Sequence, residues 1–313
     1  MDKPAFLSNP VSPISNKLNY PYPIFLDYPL RSESRYGWGK PPHPKLYEIL
    51  NRSRKTFEGH LQTFLAFKAN YLAIPKYHSD NQSNEPAWIN GMMPGLDAAA
   101  LYGFVSLLRP KRYFEVGIGQ STKFVRRAIS DQRLPTRITA IEPYPHPGIE
   151  DICDALIQKP LELIDLEIFD ELEAGDILFI DNSHRVFMNS DATVAFLDIL
   201  PRLRPGVIVE FHDIVLPFDY PPQWAERHYS EQYLLAAYLL AEGNKFEVLL
   251  ANAFISLDAE LNRILNPVWQ DPLLNGAKEF DMLATIQKAL NDKGAASGLV
   301  LIHGSSFWLR ING

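Results

Sequence analysis

The chain has 313 residues, 37 acidic and 30 basic, for a formal charge of −7, with 46% hydrophobic and 21% charged side chains. That balance excludes a disordered chain and, with no Lys/Arg cluster, the electrostatic footprint of a nucleic-acid binder. The lone Cys153 excludes an internal disulfide, MDKPAFLSNP lacks the basic and apolar stretches of a secretory leader, and no apolar run approaches the roughly 20 residues that cross a bilayer; a cytoplasmic protein off the membrane is expected.

Residues 1–44 are dense in Pro, Tyr and Ser and read as an arm, because Pro cannot donate to a helix or a central strand ladder. Such an arm is satisfied most easily by packing on a neighbour, which points to a homo-oligomer. Residues 45–110 read as a helical extension. In it Leu46, Leu50, Phe57, Leu61, Phe64, Leu65, Tyr71 and Leu72 recur at helical spacing and predict one long amphipathic helix, and a second helix is predicted over Leu96–Leu108.

From residue 111 to 313 the chain alternates. Strands are predicted at Tyr113–Val116, Ile138–Ile141, Leu161–Leu166, Ile177–Ile180 and Val207–Phe211, with helices over Thr122–Ser130, Ile149–Gln158 and Ala192–Leu203 between them. Short apolar strands separated by helices indicate βαβ units and an α/β fold with a parallel sheet covered on both faces. A helix over Glu231–Ala241 closed by Gly243, a strand over Phe246–Phe254, a helix over Ala277–Leu290 and a final apolar segment, GLVLIHGSSFWLRI, complete the pattern. Two late strands suit a Rossmann-like sheet of seven strands, mostly parallel, whose last strand runs antiparallel beside the sixth.

The strongest chemical signal is EVGIGQST, Glu115 to Thr122, between a strand and a helix. Gly117 and Gly119 permit a tight turn and close approach of a ligand, and the helix that follows offers free N–H groups and a positive dipole end. Taken alone, this is also what an ordinary tight turn looks like. Thr122 stands where a dinucleotide fingerprint has its third glycine, which counts against a nicotinamide-dependent oxidoreductase. Glu115 ends its strand within reach of a ligand's amino group or ribose. Glu142, 23 residues after Gly119 at the end of the next strand, is placed to hold ribose hydroxyls, and alone would be an ordinary solvated acid.

Glu115-Val-Gly-Ile-Gly followed by Glu142 resembles the class I S-adenosylmethionine-dependent methyltransferases. GDILFIDNSH, LPRLRPGVIVEFHDI, LPFDYP, SEQYLL and SSFWLR are similar to a bacterial, methyltransferase-24-like branch of that family, from about Trp88 to the C-terminus. The resemblance implies that residues 111–313 bind S-adenosylmethionine, that Glu115, Gly117, Gly119, Ser121 and Thr122 surround its methionine moiety, that Glu142 binds the ribose, and that Asp165 lies at the adenine rim. Asp181, His184, His212 and Asp213 follow the fourth and fifth strands, where ligands of open parallel sheets bind. Related O-methyltransferases hold a divalent cation with acids at these strand ends, and Asp181, His212 and Asp213 match that trio by position, which implies Mg2+; His212 stands where an oxygen ligand is usual. Without a metal, His184 or His212 is the candidate general base, although a histidine is more often a satisfied structural residue.

The expected activity is in-line methyl transfer to a hydroxyl of a small molecule or glycan. The rival from another class is a non-catalytic, methyltransferase-like binding module. Trp224, Tyr229 and Tyr233 are candidates to line an acceptor pocket, with ordinary packing the bland alternative, and Asp97 and Tyr102 are further candidates to approach the cofactor.

Overall fold

The computed structural model describes residues 27–78, 84–278 and 302–313. The chain divides into two compact units, Met1–Glu33 and Ser34–Gly313. Of the first, residues 27–33 are exposed and carry no helix or strand; the rest of the expected arm up to residue 26 lies outside the described residues.

The second unit is built on a seven-stranded sheet: β1 Arg112–Val116, β2 Arg137–Ile141, β3 Ala155–Ile157, β4 Ile177–Ile180, β5 Ile208–Phe211, β6 Phe246–Ala251 and β7 Phe307–Ile311. Their spatial order is β3-β2-β1-β4-β5-β7-β6. The first five pair in parallel, and β7 enters antiparallel between β5 and β6. The Rossmann-like, mostly parallel fold with an antiparallel last strand is therefore present as expected. ILFI and IVEF are buried at every residue because helices and loops cover both faces of the sheet, and such strands carry continuous rather than alternating apolar character.

Helix α4, Gly95–Leu108, follows α1 (Pro44–Arg52), α2 (Arg54–Phe64) and α3 (Lys68–Leu72). It is apolar all round and buried from Gly95 to Ser106, the condition of a helix enclosed by protein on every side. Phe104 joins the layers: its ring lies 5.1 Å from Phe64 on α2 and 4.5 Å from Trp308 on β7, pairs that contribute about 0.5–1.5 kcal/mol each beyond their area burial. Helix α5, Gln120–Gln132, follows β1 directly.

Several elements differ from expectation. The single helix over residues 45–74 is broken at Ser53 (φ −88°, ψ 5°) and again by a 3-10 turn at Leu65–Phe67, while its apolar face stays in register across both breaks. The helix expected over Ile149–Gln158 is a 3-10 turn at Ile149–Ile152 followed by β3. The strand expected over Leu161–Leu166 is instead 3-10 structure, Leu161–Leu163 and Leu166–Glu171. The helix after β4 is α-helical only over Asp191–Val194 (α6), widens to a π-turn at Ala195–Ile199 and tightens at Leu200–Arg202, where Pro201 removes a donor. Helix α7, Glu231–Leu240, ends with Glu242 rather than Gly243 in the left-handed region, at φ 51°. The strand at Phe246 stops at Ala251 and turns into helix α8, Asn252–Leu257. Most of the helix expected over Ala277–Leu290 lies outside the described residues.

Residues 34–43 lie against the loop after β5. Ser34 donates to the Tyr220 carbonyl at 3.1 Å, Trp38 Nε1 to the Asp219 carbonyl at 2.8 Å, and the His43 amide to the Pro217 carbonyl at 2.9 Å. No helix among the described residues is long and apolar enough to cross a membrane.

Candidate active site

The turn after β1 is set by backbone geometry. Gly117 has φ +80°, and a Cβ there would lie 2.1 Å from the Asp181 carbonyl oxygen, so only glycine lets β1 and β4 end side by side. Two hydrogen bonds hold it there: Gly117 N–H donates to the Ile141 carbonyl at 3.0 Å, and Asp181 N–H to the Val116 carbonyl at 2.9 Å. Gly119 is extended at φ 174°, and no atom lies within 4 Å of where its Cβ would be. Its N–H is taken by the Thr122 hydroxyl at 3.1 Å.

Glu115 is fully buried. The Ser121 hydroxyl donates to its Oε1, the Thr122 hydroxyl to Oε2 at 2.7 Å and the Tyr113 hydroxyl to Oε1 at 3.3 Å. Burial pushes its carboxyl up to about 7, against the downward pull of Ser121 and Thr122. Glu115, Ser121 and Thr122 thus bind one another and lash the first turn of α5 to β1; they shape the turn and present little to its open side. Thr122 in the third-glycine position is part of this lashing, which explains the departure from a dinucleotide fingerprint.

Glu142 stands one residue beyond Ile141, the residue that holds Gly117. Its N–H donates to the Ile157 carbonyl of β3 at 3.1 Å, and its half-buried carboxylate accepts the Tyr144 amide on Oε1 at 2.8 Å. The glycine turn and Glu142 are therefore neighbours at one sheet edge. Asp165 stands eight residues beyond the end of β3. Its placement at the adenine rim presumed a third strand ending near residue 166, whereas β3 ends at Ile157; Asp165 is exposed and caps its own 3-10 turn, accepting from Glu167 N–H.

The second cluster forms where β4 and β5 end. His184, in the left-handed region at φ 60°, pairs its Nδ1 with Glu231 Oε1 and places Nε2 at 3.2 Å from Asp181 Oδ1 and 3.6 Å from Asp213 Oδ2. His212 places Nδ1 at 3.7 Å from both Asp181 and Asp213, and Nε2 at 3.4 Å from Asp97 Oδ2, a close contact not aligned as a hydrogen bond. Burial alone would lower both imidazoles. The surrounding carboxylates outweigh it, chiefly Glu231 for His184 and Asp181 for His212, and hold both well above the ordinary histidine value. Burial likewise opposes charge on Asp181, but the positive field of His212 and His184 keeps its carboxyl below the usual carboxylate range. All four predicted residues of this cluster are thus brought together, and Asp181, 40% exposed, is the member open to solvent.

Three participants escaped the sequence reading or were given no partner in it. Glu231, fully buried in the first turn of α7, was visible only as an acid after a helix-starting Ser230. Asp97, in the first turn of α4, accepts from Asn252 Nδ2 at 2.7 Å and from the Ser305 and Ser306 amides at 2.8 and 2.9 Å, tying α4 to the segment that enters β7. Ser305 also donates to Asp213 at 3.1 Å. Tyr102 points elsewhere, donating to Asp131 at 2.8 Å.

The trio Asp181, His212 and Asp213 does not form a cation cage. Imidazole rings stand between the carboxylates and already take their inward oxygens, and no group of three or more His, Cys, Asp or Glu among the described residues is placed to hold a metal ion. The expected Mg2+ site is not supported among the described residues.

In an open sheet of this strand order ligands bind outside the carboxyl ends of the strands, and there the glycine turn and Glu142 stand at the ends of β1 and β2 and the polar cluster at the ends of β4 and β5. Residues 114–214 match the family described as a methyltransferase domain. No curated protein sequence matches it. Similar solved structures include the SAH-bound methyltransferase PaMTH1 of Podospora anserina (19% identity, 51% of this chain and 75% of that one, TM-score 0.36). The O-methyltransferase TomG of Streptomyces achromogenes in complex with SAM (13%, 79% and 96%, 0.40) and a coclaurine N-methyltransferase bound to N-methylheliamine and SAH (9%, 86% and 92%, 0.34) are others.

Proposed function

We propose that this chain is a class I S-adenosylmethionine-dependent methyltransferase that transfers its methyl group to a hydroxyl oxygen of a small molecule or glycan, at the ends of β4 and β5. One observation carries the proposal: Gly117 touches Asp181, so the nucleoside-binding turn and the His/Asp cluster share a wall. An acceptor oxygen held by Asp181 sits beside whatever the turn binds.

S-adenosylmethionine supplies a methyl group made electrophilic by its sulfonium. The chain's own residues fit that group. Gly119 leaves open space where a side chain would stand, and Glu142 keeps Oε2 for a ribose hydroxyl. Asp181 orients the acceptor hydroxyl as a hydrogen-bond acceptor. The carboxylates around both imidazoles favour their protonated form, which makes them poor acceptors of the hydroxyl proton; they fix the Asp181 carboxylate instead. As the carbon–oxygen bond forms, positive charge builds on the acceptor oxygen and its proton becomes strongly acidic. A weakly basic carboxylate then suffices to receive it, which assigns the proton to Asp181 rather than to His184 or His212. The rest of the catalysis is alignment.

The test is calorimetry with S-adenosylhomocysteine together with turnover of labelled S-adenosylmethionine on a panel of hydroxylated acceptors. Glu142→Ala removes a charge-assisted bond worth about 1.5–3 kcal/mol and should weaken binding by about 10- to 150-fold. Asp181→Asn should retain that binding and lose turnover. Full turnover in the Asp181 variant, or unchanged affinity in the Glu142 variant, removes the corresponding assignment.

A further inference from the structure

Beside the His/Asp cluster stand two guanidinium groups without a carboxylate. Arg185 follows His184 directly. Its Nε donates to the Arg227 carbonyl and its Nη1 to the Ser183 carbonyl, both at 2.9 Å. Arg227 donates from Nη1 to the Tyr229 hydroxyl at 3.0 Å. The Arg185 and Arg227 guanidinium carbons lie 5.2 and 5.5 Å from the Tyr229 ring centre, and Arg227 also lies 5.2 Å from the Trp224 ring. Tyr229 in turn packs on His184, with ring centres 4.5 Å apart. Among the described residues, neither arginine has an acid within 4.0 Å, and neither Nη2 has a hydrogen-bond partner.

The positions of these groups are built in. The Ser230 amide donates to the His184 carbonyl at 2.7 Å, and the Val186 amide to Ser230 Oγ at 2.9 Å, stitching the loop after β4 to the turn before α7. Both arginines are half-buried, so their charge is only partly screened. Planar forks held by backbone carbonyls and aromatic faces are preorganised for a planar or tetrahedral oxyanion. The inner cluster is the reverse: Asp97, Asp181, Asp213 and Glu231 face only two imidazoles.

We infer that Arg185 and Arg227 form the outer half of the acceptor site and select an acceptor carrying an oxyanion, a carboxylate or a phosphate, whose hydroxyl then points inward to Asp181. The inference rests on the proposed methyl transfer for the direction of the hydroxyl, and on the arginine geometry alone for the anion.

The experiment uses the full chain, saturated with S-adenosylhomocysteine, titrated with inorganic phosphate and separately with acetate at constant ionic strength, and follows the arginine side-chain resonances by NMR. Saturable shifts of the Arg185 and Arg227 signals are expected with at least one of the two ions, and which one distinguishes phosphate from carboxylate recognition. Arg185→Gln and Arg227→Gln should each weaken the response roughly ten-fold, with Lys at either position restoring part of it. Retained S-adenosylhomocysteine affinity certifies that the variants fold. A wild-type response to both ions no different from chloride, or equally saturable shifts of the Tyr229 ring signals in the wild type and the double Gln variant, overturns the inference. Loss of S-adenosylhomocysteine binding with the anion response intact would instead sink the methyl-transfer reading.

Discussion

Gly117 and Gly119 are two residues apart, yet alanine at each should have opposite consequences. At Gly117 the new methyl meets the Asp181 carbonyl oxygen at 2.1 Å and the backbone holds φ +80°. A left-handed non-glycine residue costs about 1–2 kcal/mol, and displacing Asp181 endangers its hydrogen bond to Val116, a further ~0.5–1.5 kcal/mol. The expected loss is about 1.5–3.5 kcal/mol, which at an unfolding entropy of ~2.1 cal/mol/K per residue lowers the midpoint of a chain of this size by about 2–5 °C. Turnover should fall as well, because the displaced residue carries the carboxylate that faces both imidazoles. At Gly119 nothing lies within 4 Å of the added Cβ and φ is 174°, so stability should stay within about 0.5 kcal/mol. The methyl then occupies the space through which a ligand approaches the backbone, and S-adenosylhomocysteine affinity should drop roughly ten-fold or more. Thermal unfolding and calorimetry on the two variants are the assay. A stable Gly117→Ala, or a Gly119→Ala that loses stability while binding normally, would refute the reasoning.

Three further outcomes are expected. The folded-state values of His184 and His212 lie above 6.5, so their contribution is complete below about pH 6.5 and disappears as pH rises through those values. Glu115, raised from 4.5 to about 7, acts in the same sense, costing about 3 kcal/mol by the time pH passes 7; Asp181, held low, contributes above its ordinary value and loses that contribution only in strong acid. A urea midpoint that rises from about pH 5 to about pH 8 would contradict the raised assignments of these groups. Glu231→Gln removes the leading charge that holds the His184 proton, so the imidazole's titration, followed by NMR, should move down; an unmoved titration would assign that proton to Asp181 and Asp213 alone. Asp97→Asn keeps the shape but takes the charge from a fully buried carboxylate held by Asn252, Ser305 and Ser306. It should cost about 2–4 kcal/mol in chemical denaturation, and an unaffected variant would show that those donors do not need the charge.

The amino-acid sequence alone determined the sheet's central strands and what stands at their ends. YFEVG, ITAIE, ILFID and VIVEFHD are apolar runs closed by a glycine or an acid, a pattern set by burial on both faces and by the need for polar groups where a parallel strand meets solvent. Hence the glycine turn, Glu142, Asp181, His184, His212 and Asp213 were legible without coordinates. The three-residue edge strand Ala155–Ile157 was not, because it is too short to show periodicity, and LELID, which looks strand-like, gives up its pairing to β3 nearer the sheet. The breaks at Ser53 and Leu65 were hidden because the apolar stripe continues across them. Only the tertiary structure decided charge and partnership. Glu231 reaches His184 from 47 residues away and Asp97 reaches Ser305 from 208. It is the carboxylates gathered around them that hold the imidazoles above the ordinary histidine value against the pull of burial, and the hydroxyls of Tyr113, Ser121 and Thr122 that make Glu115 a brace for the turn.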